Sequence, residues 1–177
     1  MLVEVIATNS FGVIRPLPTP YVHNNDNRSS RPPVPFGILV KSPTGVLIKQ
    51  LSEHYFHSDT RPGDRTFFFT TCGWMMWNWL IPALQTGATV CLFDGNPFAP
   101  DPLVLWRFAA EHKISGFGIS AKYVDALNKQ NVRPKEVSDF PDLRLIASTG
   151  STLVHESFDY LYEHVKTDMR VSSVSGG

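Results

Sequence analysis

From residue 44 onward, apolar positions alternate between helical and strand spacing. Val46, Leu47, Leu51 and Tyr55 recur on one helical face, which predicts a helix over 44–57. Pro62 and Gly63 mark a turn, since proline presets φ and glycine accepts a positive one. A strand over 65–71, a helix over 74–84 and a strand over 88–93 follow. The alternation continues with a helix over 101–112, a strand over 114–119 and a helix over 121–130 that Ser120 caps. A strand over 143–148 leads to a helix capped by Ser151 or Thr152 that runs to about 165, and a strand over 169–174 comes last. Strands separated by helices indicate crossover units, so the expected fold class is α/β with a largely parallel sheet flanked by helices.

In such sheets ligands gather beyond the carboxyl ends of strands. The stretches to inspect are therefore those beginning at Cys72, Asp94, Ser120, Thr149 and Ser175. Gly150 offers backbone N–H groups at a helix start, where a phosphate or nucleotide ring fits. Ser175, Gly176 and Gly177 read the same way. No GxxxxGK[ST] or GxGxxG pattern supports either, and an ordinary strand–helix turn explains the glycine equally.

Two stretches depart from the alternation. Residues 66–93 contain no charge and are long enough to span a bilayer. Gly73, Asn78, Pro82 and the polar Gln85 and Thr86 interrupt them, and Trp74, Trp77 and Trp79 would sit near mid-membrane rather than at an interface. A buried strand, helix and strand is the better reading, without a membrane span. Residues 1–41 hold Pro16, Pro18, Pro20, Pro32, Pro33 and Pro35 around a polar run, which reads as a poorly ordered segment ahead of a folded unit over 42–177. Glu4 breaks the apolar start and no basic residue precedes it, so no secretory signal is expected and a cytoplasmic setting is. The chain stops just past a strand read as buried, which suggests a piece of something longer.

Charge removes one class of partner. Sixteen basic and sixteen acidic residues balance, whereas a phosphate-neutralising domain needs a basic excess, so no nucleic-acid partner is expected. The two cysteines make neither a disulfide framework nor a zinc site. Cys72 is read as a small buried residue. His54 and His57 share a helix face but lack a third ligand, so they are read as surface histidines and no metal site is expected. The tryptophans around Met75 and Met76 are read mostly as core. Arg61, Asp64 and Arg65 are read as a solvated loop.

Longer runs carry more information. EHYFHSDTRPGDRTFFFTTCGWMMWNWL, TGATVCLFDGNPF, LWRFAAEHKISGFGISAKYV, LRLIASTGSTL and VSSVSGG together resemble the adenylate-forming acid–CoA ligases, and within them the branch that acts on acetoacetate. The resemblance covers roughly residues 42–177 and implies part of an N-terminal adenylation domain. It implies two steps: a carboxylate attacks the α-phosphate of ATP, with Mg2+, to give an acyl-adenylate and pyrophosphate, and coenzyme A thiolate then displaces AMP. It places Gly150, Ser151 and Thr152, with Ser175, Gly176 and Gly177, at the nucleotide, and Thr71, Cys72, Gly73 and Trp74 at the acid pocket. The implied small-molecule partners are acetoacetate, ATP and coenzyme A. The family's phosphate loop ending in Pro-Lys, and its catalytic lysine, have no counterpart in this sequence. No catalytic residue is therefore identifiable, and the isolated chain is expected to be inactive. The alternative is a non-catalytic remnant or interaction module. An unrelated doubly wound domain would explain the pattern but not these residue runs.

Overall fold

Residues 43–174 are described by a computed structural model. The proline-rich segment 1–41 and Ser175, Gly176 and Gly177 lie outside the described residues. Among the described residues, five strands, β1 (Arg65–Phe68), β2 (Thr89–Cys91), β3 (Gly116–Ser120), β4 (Leu145–Thr149) and β5 (Arg170–Ser173), form one sheet in the order β2-β1-β3-β4-β5, with every neighbouring pair parallel. Helices α1 (Pro43–Ser52), α2 (Met75–Leu80), α3 (Val104–Glu111), α4 (Ala121–Lys129) and α5 (His155–His164) flank it. The expected α/β class is the observed one.

Strand order dictates the layers. The step from β1 to β2 runs opposite to the steps that lead on to β3, β4 and β5. Right-handed crossovers then require the first connection to lie on the other face of the sheet. Packing agrees. Phe67, Phe117 and Ile146 point into a main core with Trp106 of α3, Leu127 of α4 and Leu161 of α5. The next residues along the strands point the other way: Phe68 and Ala147 meet Met76 and Leu80 of α2 and Ala83 beyond it. The crevice between opposed connections opens at the carboxyl ends of β1 and β3, the switch point where such sheets bind ligands.

Element boundaries follow local chemistry. Ser120 caps α4, its Oγ accepting from the Tyr123 N–H at 3.2 Å. The helix expected over 74–84 divides into α2 and a 3-10 helix, Ile81–Thr86, where Pro82 cannot donate. Gly87 ends that segment at φ +82, and its carbonyl accepts from the Gly63 N–H at 3.1 Å. Strands β3 and β4 start two residues later than expected. Ile114 and Leu143 are buried, yet their N–H groups donate back to Ala109 and Phe140 in the preceding turns. Burial thus begins before the ladder does. Lys166, just beyond α5, donates from Nζ to the carbonyls of Phe140, Pro141 and Leu143 at 3.0–3.2 Å and so fixes the approach to β4.

Two expectations are corrected here. Neither Ser151 nor Thr152 caps α5. Gly150 turns at φ +91, the chain stays extended, and Val154 stands at the N-cap without a side-chain bond. The last strand is not buried: among the described residues β5 lies at the edge of the sheet, and its residues are half-buried or exposed.

Candidate functional site

The segment after β1 is built for display. The Phe69 N–H still bonds the Gly118 carbonyl at 2.9 Å, after which the chain leaves the sheet. The Trp74 N–H donates to the Thr71 carbonyl and the Trp77 N–H to the Trp74 carbonyl, both at 3.1 Å. This turn runs directly into α2 and leaves Thr71, Cys72, Gly73 and Trp74 exposed at the switch point. Trp74 is 59% exposed. Reading the tryptophans as core is therefore corrected: Trp74 is at the surface, Trp77 and Trp79 are half-buried, and the fully buried one is Trp106. Cys72 is exposed rather than buried; Cys91 is the buried cysteine.

The segment after β4 lies on the same edge. Gly150, Ser151 and Thr152 are exposed. A Cβ at Gly150 would meet nothing within 4 Å, so its positive φ, not close approach, is what calls for glycine. The Thr149 hydroxyl donates to the Val174 carbonyl at 2.7 Å, and the Val174 N–H donates to Ser148 at 2.7 Å. Strand β3 alone separates β1 from β4. The two segments therefore emerge two strand spacings apart, about 10 Å.

The opposite, amino edge is tied down by ions. Arg144 Nη2 bonds Asp64 Oδ2 at 2.6 Å and the Asp59 carbonyl at 3.3 Å. Arg170 donates to the His57 carbonyl. Asp64 also accepts from the Arg61 N–H at 2.7 Å, and its side chain is only 11% exposed. The loop read as solvated is thus an anchored one. An open, shallow depression runs from Asp64 and Arg144 over Gly116 and Gly118 to Trp79. It lies over the face of the sheet that α2 packs on, and none of the candidate residues lines it.

His54 is the residue that sequence reading misplaces. It is fully buried, not at the surface. Nε2 bonds the Trp79 carbonyl at 2.7 Å, and burial pushes the imidazole below its usual range. Its spacing to His57 carries no sign of this, because the partner is 25 residues away. The one local signal is Pro82, which leaves a carbonyl of α2 in want of a donor. Among the described residues, no three His, Cys, Asp or Glu side chains lie where they could share a metal ion. Among the same residues, no helix is long and apolar enough to cross a membrane.

Comparison with known proteins gives a consistent set of relatives. Over 139 residues, 78% of this chain, it is 50% identical to acetoacetyl-coenzyme A synthetase of Rhizobium meliloti (strain 1021) and 42% identical to acetoacetyl-CoA synthetase of Gallus gallus. A malonamoyl-CoA synthetase of Penicillium aethiopicum is 36% identical over 153 residues. The fold superimposes on acetoacetyl-CoA synthetase from Streptomyces lividans with a TM-score of 0.71 and 40% identity, covering 75% of this chain and 21% of that one. The chain spans 21% of the length of each of these relatives, about a fifth. No protein-family model matches it.

Proposed function

Because this chain is homologous to a segment of the acetoacetyl-CoA synthetases, we propose that it supplies the acid- and nucleotide-facing edge of an ATP-dependent acid–CoA ligase. The reaction activates acetoacetate as its adenylate, with release of pyrophosphate, and transfers the acyl group to coenzyme A. The observation that carries this reading is the joint one. The chain is 50% identical to a synthetase of that name, and its fold sets Thr71–Trp74 at the switch point, with Gly150–Thr152 two strands away on the same edge.

In this reading Trp74 meets the acyl chain, and Thr71, Cys72 and Gly73 shape the entrance beside it. Gly150, Ser151 and Thr152 lie against the nucleotide, together with Ser175, Gly176 and Gly177. The exposed Gly150, Ser151 and Thr152 suit a polar ligand, and the exposed indole of Trp74 suits an apolar one. ATP and coenzyme A enter as substrates. The Mg2+ that accompanies ATP is assigned no ligands, since the described residues offer no cluster for it. A cytoplasmic site of action belongs to the same proposal. The relatives, named as synthetases, do not favour the reading as a non-catalytic module.

The test is a chimera. The matched 139-residue segment of the Rhizobium meliloti synthetase is replaced by that of this chain, and pyrophosphate release is measured with ATP and acetoacetate. Turnover dependent on acetoacetate is expected from the chimera. The 177-residue polypeptide alone is expected to stay at the no-enzyme blank. A well-folded chimera without turnover would overturn the reading.

A further inference from the structure

Helix α2 ends with a carbonyl that its own chain does not serve in the usual way. Pro82 stands three residues beyond Trp79 and has no N–H, and at Ile81 the winding changes from α to 3-10. The Trp79 carbonyl is bonded by His54 Nε2 at 2.7 Å. A carbonyl only accepts, so Nε2 carries the proton and Nδ1 is bare. That Nδ1 is buried with no hydrogen-bond partner. The His54 ring also lies 4.5 Å from the Trp79 ring, tilted by 40°. It is presented by a π-helical turn, Glu53–His57, whose His54 carbonyl is itself held by the Thr60 N–H at 2.8 Å.

The other end of α2 is the displayed segment. Hydrogen bonds link Thr71 to Trp74 and Trp74 to Trp77 without a break. Residues 71–79 thus form one hydrogen-bonded piece, with His54 fastening the end remote from Trp74.

We propose that His54 is a positioning residue for the Thr71–Trp74 segment: by holding the Trp79 carbonyl and packing against the Trp79 ring, it fixes the helix that sets where Trp74 stands. Its functional meaning rests on the acid-pocket reading of that segment, whereas its test does not. Only the neutral ring fits the site. Protonation would place a second N–H at Nδ1, where the structure provides no acceptor. The charged and titratable groups nearby are the Lys49–Glu53 ion pair of α1 and the turn, and the exposed His57. Helix α2 and the 3-10 segment after it contain none. Acid below the ordinary histidine range leaves the Nε2–H donor in place but adds a buried charge and an unserved Nδ1–H, which drives the ring out of its site and loosens the far end of the helix and, through it, Trp74.

Cys72 supplies the probe, being exposed two residues before Trp74 while Cys91 is buried. A nitroxide attached to Cys72 in the full chain reports the mobility of the segment, with folding followed by far-ultraviolet circular dichroism. In the wild type the label is expected to be immobilised from pH 8 to about 6.5 and to become mobile as the pH falls further. His54→Gln, whose amide can still donate to the Trp79 carbonyl, is expected to restore immobilisation and remove the pH dependence. His54→Phe, which fills the space without a donor, is expected to be mobile at every pH. Should His54→Phe not fold, the wild type and His54→Gln decide alone. A label that mobilises identically with pH in both, or one that stays immobile in a folded His54→Phe, overturns the proposal. A Trp74 without influence on acid preference would instead remove the acid-pocket reading and leave these mobilities unchanged.

Discussion

At the scale of single residues, Gly118 shows how tightly one face of the sheet is filled. A Cβ there would stand 2.0 Å from Cδ2 of Phe68. The Phe68 ring, which also meets Trp79 edge-on at 6.0 Å between centroids, would have to shift to admit it. Gly118→Ala is expected to lower stability by about 1–3 kcal/mol, the cost of an overpacked core, which denaturant unfolding measures directly. Gly150→Ala is a different case: the space is open but φ is +91, so its cost is backbone strain of about 1–3 kcal/mol. His54 gives a pH dependence with a definite sign. Its folded-state pKa is lowered from the ordinary 6.5 by burial, so below that pH the unfolded chain takes up a proton that the folded chain refuses. The stabilising contribution is complete above about pH 6.5 and declines as the pH falls toward the folded-state pKa. The exposed His155 is shifted the opposite way, so the difference between wild type and His54→Gln isolates the term. A melting temperature that falls between pH 6.5 and 5 equally in both proteins would contradict it. None of this is readable from residue identity. Phe68 faces Gly118 only because β1 and β3 pair in that register, and His54 and Asp64 find their partners far along the chain.

Elements were more legible than residues, for a physical reason. Helix α4 is specified locally: Ser120 ends a strand, and apolar residues follow at helical spacing. Ser120→Ala is therefore expected to cost about 1 kcal/mol, the usual worth of an N-cap, as a shift in the denaturant midpoint. Helix α5 lacks that local signature. Ser151 and Thr152 have the right side chains for capping, but Gly150 turns the chain so that the helix starts only at His155. Pro82 divided an apolar run that reads as one helix. The exposure of Trp74 was hidden by composition, since a cluster of large apolar residues looks the same whether it fills a core or lines a ligand surface. Strand positions 114 and 143 misled in the other direction, because apolar residues enter the core before the ladder begins.

At the scale of the molecule, the alternation of strands and helices identified the parallel sheet, but the order of its strands came only from the structure. That order matters most for function. One reversed crossover, from β1 to β2, places α2 opposite α3, α4 and α5 and opens the edge where Thr71–Trp74 emerges. The strand-end rule and the residue runs point to the same segment and to Gly150–Thr152, the one by pattern and the other by resemblance. The central claim is that this edge faces the acid on one side and the nucleotide on the other. The most direct measurement is the preference of the chimeric synthetase for acetoacetate over acetate, with and without Trp74→Ala. A pocket contact of one or two methylenes discriminates by about 1–3 kcal/mol, so the preference is expected to change by roughly tenfold or more with little change in the Michaelis constant for ATP. An unchanged preference in a variant that melts at the wild-type temperature would contradict the account.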